Sequence, residues 1–233
     1  MPDAARLRDR VFYTSMAVAV AAAVLLGFSR TYYLRPYFQD GSLPPYLHLH
    51  GAVFSAWIVL LVSQTSLVAA RRTDLHRRLG WAGAVLAVAM VAVALAAAII
   101  SGRREIAAGN EAGELVFLTT PLSSMAVFIA LVGAAVWFRR QAETHKRLML
   151  LATINILDAA VARWPFAIFS SALVGYAAVD AFLAAGVTYD IATRRRVHPA
   201  YIWGALLIVA TQALRDPIGR SAAWQPIARM ILE

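Results

Sequence analysis

Ionisable side chains inside apolar runs are the strongest candidates for chemistry in this sequence. They are His50, Asp158, Arg163, Asp180 and Arg215. A charged group in hydrocarbon is costly, so by default such residues face neighbouring helices or a polar cavity. At a rise of about 1.5 Å per residue, most of them reach one level in the outer half of a membrane. We therefore predict a polar pocket in that half, formed by these five residues.

The mixed charges of this set allow more than one interpretation. Two arginines and two carboxylates nearly neutralise one another, as buried charges must, so the set is either a structural ion-pair network or a ligand pocket. An arginine pair suits a carboxylate or a carbonyl head group, which favours a quinone or a small anionic ligand. If Asp158 and Asp180 carry protons or cations instead, the same residues suit a permease.

Two histidines, His48 and His50, begin the second apolar run and are the candidate metal ligands. Residues two apart on an α-helix point about 200° apart and do not share a ligand. If His48 is still extended after Pro45, the two imidazoles converge. The alternative is an interfacial histidine bonded to a loop carbonyl.

Two further histidines, His76 and His145, follow arginine pairs in short basic turns. Neighbouring cations disfavour protonation and leave a neutral imidazole that is able to bind a metal. Because both stand at the start of an apolar run, they are the candidate axial ligands of a haem b, with His50 as a further candidate. The competing interpretation is that each histidine anchors its turn at the lipid head groups.

Long apolar segments separated by short basic turns must position these residues. A membrane span needs about 20 mostly apolar residues. The predicted spans are residues 11–28, 47–70, 79–101, 115–138, 148–169, 172–192 and 200–214, and residues 217–233 are predicted to form an interfacial amphipathic tail. The connections are too short to hold a soluble domain. The predicted fold class is an all-α polytopic membrane helix bundle of about seven helices, in which residues 1–233 form one transmembrane domain.

Composition and charge support the membrane class and exclude others. The chain is 61% hydrophobic and only 15% charged, whereas a soluble domain is about a quarter charged. The absence of cysteine excludes disulfides and thiolate sites. The net charge of +9 does not indicate nucleic acid, because the basic residues lie in short turns between spans. The turns on one side hold about twice as many basic residues, which places the N-terminus in the cytoplasm.

Two segments carry a resemblance to known families. They are LHGAVFSAWIVLLVSQTSLVAARRTDLHRRLGWAG (49–83) and HKRLMLLATINILDAAVARWP (145–165). Here the chain resembles multi-pass bacterial inner-membrane proteins of unknown activity, which implies a location in the bacterial inner membrane. More remotely, His76-Arg77 and His145-Lys146 are similar to the basic histidine turns of the cytochrome b561-like and haem A synthase-like bundles, which implies haem.

Three functional hypotheses follow from these residues. The leading one is a redox or cofactor-binding membrane protein that uses haem b or quinone, with its polar pocket in the periplasmic half. The second is a small-solute or proton-coupled permease. The third is a non-catalytic assembly or scaffold subunit, in which the charges are structural. Whether the protein is an enzyme is left open at this point, and its predicted partners are the lipid bilayer and a quinone or small anionic ligand.

Overall fold

Every secondary-structure element of the described chain is a helix. The computed structural model describes the backbone of residues 2–233 and the side chains of residues 4–233, and this part of the chain contains no β-strand. Five segments are long and apolar enough to cross a membrane: Ala4–Tyr33, Pro45–Ala69, Thr73–Ala107, Glu111–Trp137 and Ala172–Arg194. The predicted all-α class is confirmed, and these five segments fit a membrane protein. The number seven and the side of the N-terminus stay predictions.

The described α-helices are numbered in chain order. They are α1 (Pro2–Phe28), α2 (Pro45–Ala69), α3 (Thr73–Ala107), α4 (Glu111–Phe117), α5 (Thr119–Trp137), α6 (Ala142–Asn155), α7 (Asp158–Val161), α8 (Ala172–Arg194), α9 (Pro199–Gly219) and α10 (Trp224–Leu232). The chain forms two compact units. The first unit comprises the residues up to Met90 and Leu157–Phe182, and the second comprises Val91–Ile156 and Leu183–Glu233.

The first unit is built on one buried face of α1. Its buried residues recur at helical spacing, as expected for a helix that packs along one stripe: Tyr13, Met16, Ala17, Val20 and Ala23. Helix α1 packs against α2 and α7. The indole Nε1 of Trp164 donates a hydrogen bond of 3.0 Å to the carbonyl of Ala23, which fixes the segment after α7 on α1.

The core of the second unit lies among α5, α6 and α9. One face of α9 is buried along its whole length, and its residues are Ala200, Tyr201, Gly204, Ile208, Gln212, Arg215 and Gly219. Gly204 lets α9 approach α6 closely, because a Cβ there would lie 2.6 Å from a methyl carbon of Leu151. The stripe is apolar at its centre and carries Gln212 and Arg215 towards its end.

Helix α10 packs against α4 through a small apolar cluster. Leu115 and Leu118 contact Ala228 and Leu232 there. The sequence predicted an interfacial amphipathic tail over 217–233, but α9 extends to Gly219 and only Trp224–Leu232 forms a separate helix. Met230, which belongs to the apolar face expected from the sequence, is 72% exposed.

The predicted span 148–169 differs most from the structure. Helix α6 ends at Asn155, and the four-residue helix α7 follows after a short break. Pro165 and the restriction it places on Trp164 end the helical conformation soon afterwards. The structure divides 148–169 between the end of α6, the single turn of α7 and a 3-10 helix at Ala167–Ser170, and whether this segment crosses the membrane stays a prediction.

We expect Gly27→Ala to destabilise the first unit. A Cβ at Gly27 would overlap the backbone carbonyl of Ala160 on α7, so the two helices would have to separate. Overpacking of this kind costs about 1–3 kcal/mol, which exceeds the gain in helix propensity. The measurement is the thermal unfolding midpoint of the purified protein.

The matched control is Gly175→Ala on α8 in the same unit, where a Cβ would meet no atom within 4 Å. This variant should unfold at the wild-type temperature or slightly above it. Equal midpoints for the two variants would show that the contact between Gly27 and Ala160 is not tight.

Candidate functional site

The structure distributes the predicted pocket residues between the two units. His50, Asp158, Arg163 and Asp180 belong to the first unit, and Arg215 belongs to the second. A single pocket formed by all five residues stays a prediction. Each unit is therefore considered for the site that its own residues make.

In the first unit, His50 and Arg163 lie close enough for their charges to interact. The His50 ring stacks on Phe54 with centroids 4.3 Å apart. The Arg163 guanidinium lies over the Phe28 ring at 5.1 Å and donates a hydrogen bond of 2.6 Å to the Ala159 carbonyl. The side chain of Arg163 is exposed, so these residues do not form an enclosed pocket.

The predicted metal pair of His48 and His50 lacks the geometry that it requires. Helix α2 begins at Pro45, so His48 is helical and not extended, and the two side chains point about 200° apart. The Tyr32 hydroxyl donates a hydrogen bond to the His48 carbonyl. The described residues contain no group of three or more His, Asp or Glu side chains that could hold a metal ion.

The two candidate haem ligands belong to different units. His76 lies at the start of α3 in the first unit, and His145 lies in the first turns of α6 in the second. The Nδ1 atom of His145 donates a hydrogen bond of 2.8 Å to the carbonyl of Ala135, which closes the turn between α5 and α6. The haem pairing stays a prediction, and the contact observed for His145 is an anchoring one.

Two predicted carboxylates lie on helices of the first unit. Asp158 is the first residue of α7, and Asp180 lies in the first half of α8. Both side chains are half-buried and engaged in interactions within the protein. Their proposed role as proton or cation carriers stays a prediction.

In the second unit, Arg215 is the centre of a buried polar cluster. Its side chain is 4% exposed, and its Nε and Nη2 atoms donate to the hydroxyls of Ser123 and Ser124 at 3.1 and 2.7 Å. The Asn155 amide donates to the Ser124 carbonyl at 2.8 Å. The Oδ1 atom of Asn155 and the Nε2 atom of Gln212 are buried without a hydrogen-bond partner. We call these five residues the Arg215 cluster.

A groove of about 240 Å³ opens beside the Arg215 cluster. Its apolar wall is formed by Leu122, Leu214, Ile218 and Trp224, and its polar side includes Ser123 and Arg215. The Trp224 indole donates a hydrogen bond of 2.7 Å to the Leu115 carbonyl, which holds α10 at the rim. The groove therefore presents a cationic group at one side of an apolar surface.

The second unit also contains a buried ion pair that was not predicted from the sequence. Arg147 and Asp190 are both fully buried, and the guanidinium binds the carboxylate through Nε and Nη2. Arg147 also donates to the Glu143 carboxylate at 2.8 Å and lies over the Tyr201 ring at 5.6 Å. Arg194 adds an ion pair of 3.2 Å to Asp190. The contacts join α6, the end of α8 and α9.

A helical phase signal for this pair exists in the sequence. Arg147 looks like one more cation of a basic turn, yet it shares a helix face with Leu150, Leu151 and Ile154, which are all buried. Asp190 is an isolated acid near the end of an apolar run. The place of each residue around its helix axis, rather than along the chain, indicates that both side chains face the interior. There each charge requires the other.

His198 caps α9 in a way that requires a neutral imidazole. Its Nδ1 atom accepts a hydrogen bond of 3.1 Å from the backbone N–H of Ala200. A protonated imidazole has no acceptor, so protonation removes this cap. The backbone N–H of His198 donates to Asp190, which ties the cap to the buried ion pair.

Burial and neighbouring charges shift the pKa values of His198 and Glu143. Burial and then the charge of Arg147 lower the pKa of His198 below its ordinary value of 6.5, while Asp190 and Glu143 oppose this shift and Arg194 adds to it. For Glu143, burial raises the pKa, but hydrogen bonds and charges from Lys146 and Arg147 outweigh it and leave a net lowering. Both shifts favour the charged form of the Glu143 carboxyl and the neutral form of the His198 imidazole.

The comparisons with known proteins found no relative. No family model, no curated protein and no solved structure matches the chain. The Arg215 cluster and its groove are therefore the candidate site of the second unit.

We expect Asp190→Asn to destabilise the protein by about 3 kcal/mol or more, because it leaves the buried charge of Arg147 without its main partner. Thermal or denaturant unfolding measures the loss. The double variant Arg147→Met/Asp190→Leu should recover part of the stability, since it removes both charges together.

Asp216→Asn is the matched control, because Asp216 pairs with Arg220 at an exposed position. This change should have little effect on unfolding. If the two asparagine variants lost equal stability, burial would not be the cause.

We expect His198 to make the protein less stable as pH falls. Because its pKa is below 6.5 in the folded state, the unfolded chain binds more protons between the folded pKa and 6.5. Stability contributed by the neutral ring is therefore lost as pH falls through that window. His198→Asn keeps a capping side chain that does not titrate. The wild-type unfolding midpoint should fall more between about pH 7.5 and about pH 5 than that of the variant. Equal falls would contradict this role of His198.

Proposed function

We propose that the protein is a bacterial inner-membrane protein that binds an amphiphilic ligand with a carbonyl head group, of the quinone class. The binding site in this proposal is the groove beside Arg215. The observation that carries it is a buried guanidinium, held by Ser123 and Ser124, at the side of an otherwise apolar groove.

The chemistry of the groove favours a ligand with one polar end. An arginine offers planar N–H donors that bind a carbonyl or carboxylate oxygen, and these bonds are stronger than those between neutral groups. Leu122, Leu214 and Ile218 would contact the ring and the start of an apolar chain. A volume of about 240 Å³ lies below the usual range for a whole drug-sized ligand, which begins near ~300 Å³, so it suits a head group.

The predicted topology supports this placement of the ligand. With the N-terminus in the cytoplasm and seven spans, α9 runs outward, and Arg215 near its end lies in the periplasmic half. In this proposal α9 and the segment of α6 and α7 complete the seven spans. An isoprenoid tail would then extend from the groove into the hydrocarbon of the bilayer.

The quinone proposal does not depend on haem. The Nδ1 atom of His145 donates a hydrogen bond to the carbonyl of Ala135, which anchors the turn between α5 and α6. Ligation of haem b by His76 and His145 stays a prediction without an observation in its favour.

We expect Arg215→Gln to weaken binding of decylubiquinone by about 10-fold or more, because a hydrogen bond to a charged group contributes about 1.5–3 kcal/mol. The measurement is the shift in unfolding midpoint across a quinone titration of the detergent-solubilised protein. Leu122→Trp should also prevent binding, since it fills the groove and leaves the guanidinium in place. This second variant keeps the test valid if Arg215→Gln lowers stability.

Arg229→Gln is the control, because Arg229 lies on α10 and pairs with Glu111 at the surface. This variant should bind decylubiquinone as the wild type does. Decanoate supplies a carboxylate head group on a similar chain. Binding of decanoate without binding of decylubiquinone would refute the quinone class, and equal weakening in the Arg229 variant would refute the site.

A further inference from the structure

Three arginines surround an open cleft at the N-terminal end of the first unit. Arg6 and Arg10 lie on α1, Arg71 follows the end of α2, and the cleft between them has a volume of about 350 Å³. Ala4 and Leu7 complete its described lining, and none of the five described lining residues is acidic. The cleft is thus a concentrated positive site that is separate from the Arg215 groove.

The two arginines of α1 are placed where they repel each other. Arg6 and Arg10 are one turn apart on the same helix face, and like charges at this spacing destabilise a helix. Arg71 brings a third positive charge to the same cleft. A bound anion would convert this repulsion into attraction, because each guanidinium can donate to it.

The backbone at Arg71 is unusual for a residue of this size. Its φ is +61°, the left-handed conformation that usually belongs to glycine at the end of a helix. The N–H groups of Arg71 and Arg72 donate to the carbonyls of Val68 and Leu67 and close the end of α2. A glycine would satisfy this turn without strain, and the arginine instead places a guanidinium in the cleft.

The position of the cleft relative to the apolar stretches of α1 and α2 indicates which class of anion it binds. Arg10 directly precedes the apolar stretch of α1, and Arg71 follows α2 within two residues of its end, so the cleft lies at the boundary of the apolar layer. Leu7 and Val11 are 60% and 58% exposed beside it and offer apolar contacts. We infer that this cleft binds the phosphate group of an anionic phospholipid, with Arg6, Arg10 and Arg71 as its ligands. Planar guanidiniums match phosphate geometry, and basic pockets at this level bind lipid head groups.

The test compares two triple variants that carry the same change in charge. The cleft variant is Arg6→Gln/Arg10→Gln/Arg71→Gln, and the control is Arg77→Gln/Arg78→Gln/Arg140→Gln, whose arginines are exposed and do not line the cleft. Each detergent-purified protein is titrated with phosphatidylglycerol, and the unfolding midpoint is followed. We expect the cleft variant to bind about 100-fold more weakly than the wild type, since it removes all three guanidiniums that line the phosphate site, whereas the control removes none of them. The control should bind as the wild type does.

Two further titrations identify the source of the phosphate. Inorganic phosphate tests whether a free ion is sufficient, and phosphatidylcholine tests whether a zwitterionic lipid is. Stabilisation by phosphatidylglycerol alone supports a phospholipid site, whereas an equal response to inorganic phosphate would reassign the cleft to a soluble phosphate and overturn the lipid assignment. The site would be overturned if both triple variants bound phosphatidylglycerol equally weakly, or if neither bound it more weakly than the wild type.

Discussion

The second unit depends on the buried contact between Arg147 and Asp190. Removing two charges from water costs several kcal/mol for each ion, so the pair exists only if its geometry is good and its other polar atoms are bonded. Here the contact is bidentate, and Glu143, Arg194 and a backbone N–H supply the remaining bonds. The cost of separating the charges favours the arrangement of α6, α8 and α9 in which they pair.

A second buried arginine of this unit, Arg215 on α9, is held by different means through α5. Arg215 is held by the hydroxyls of Ser123 and Ser124, which bring no negative charge, whereas Arg147 is held by carboxylates. The polar atoms of Asn155 and Gln212 that lack partners lie in the same cluster. The Arg147 end of the core is thus bonded to carboxylates, and the Arg215 end keeps the unpartnered amide atoms of Asn155 and Gln212 in an apolar setting. This contrast is the reason that the binding proposal concerns the Arg215 end.

Composition was sufficient to predict the helices and their apolar character. It was not sufficient to predict which residues of a helix face inward or where a helix breaks. Long apolar runs predicted an all-α chain with membrane-spanning helices, because a bilayer imposes length and polarity directly. The break after Asn155 was missed, because the hydrogen bond from the Asn155 side chain to the Ser124 carbonyl is a tertiary contact that the local sequence does not show. Arg215 was identified as a candidate from its position at the end of an apolar run. Arg147 was missed because a basic turn conceals a cation that faces inward, and Ser123 and Ser124 carry no charge to mark them.

Helix α3 is longer than a membrane requires. Its 35 residues would extend about 52 Å, whereas the hydrocarbon layer is about 30 Å thick. Tilting alone absorbs only part of this mismatch, so the final turns stand in the head-group layer or in water. Arg103 in these turns donates to the Leu232 carbonyl. The part of the helix beyond the length that the hydrocarbon layer needs thus provides a hydrogen bond that attaches the end of α10.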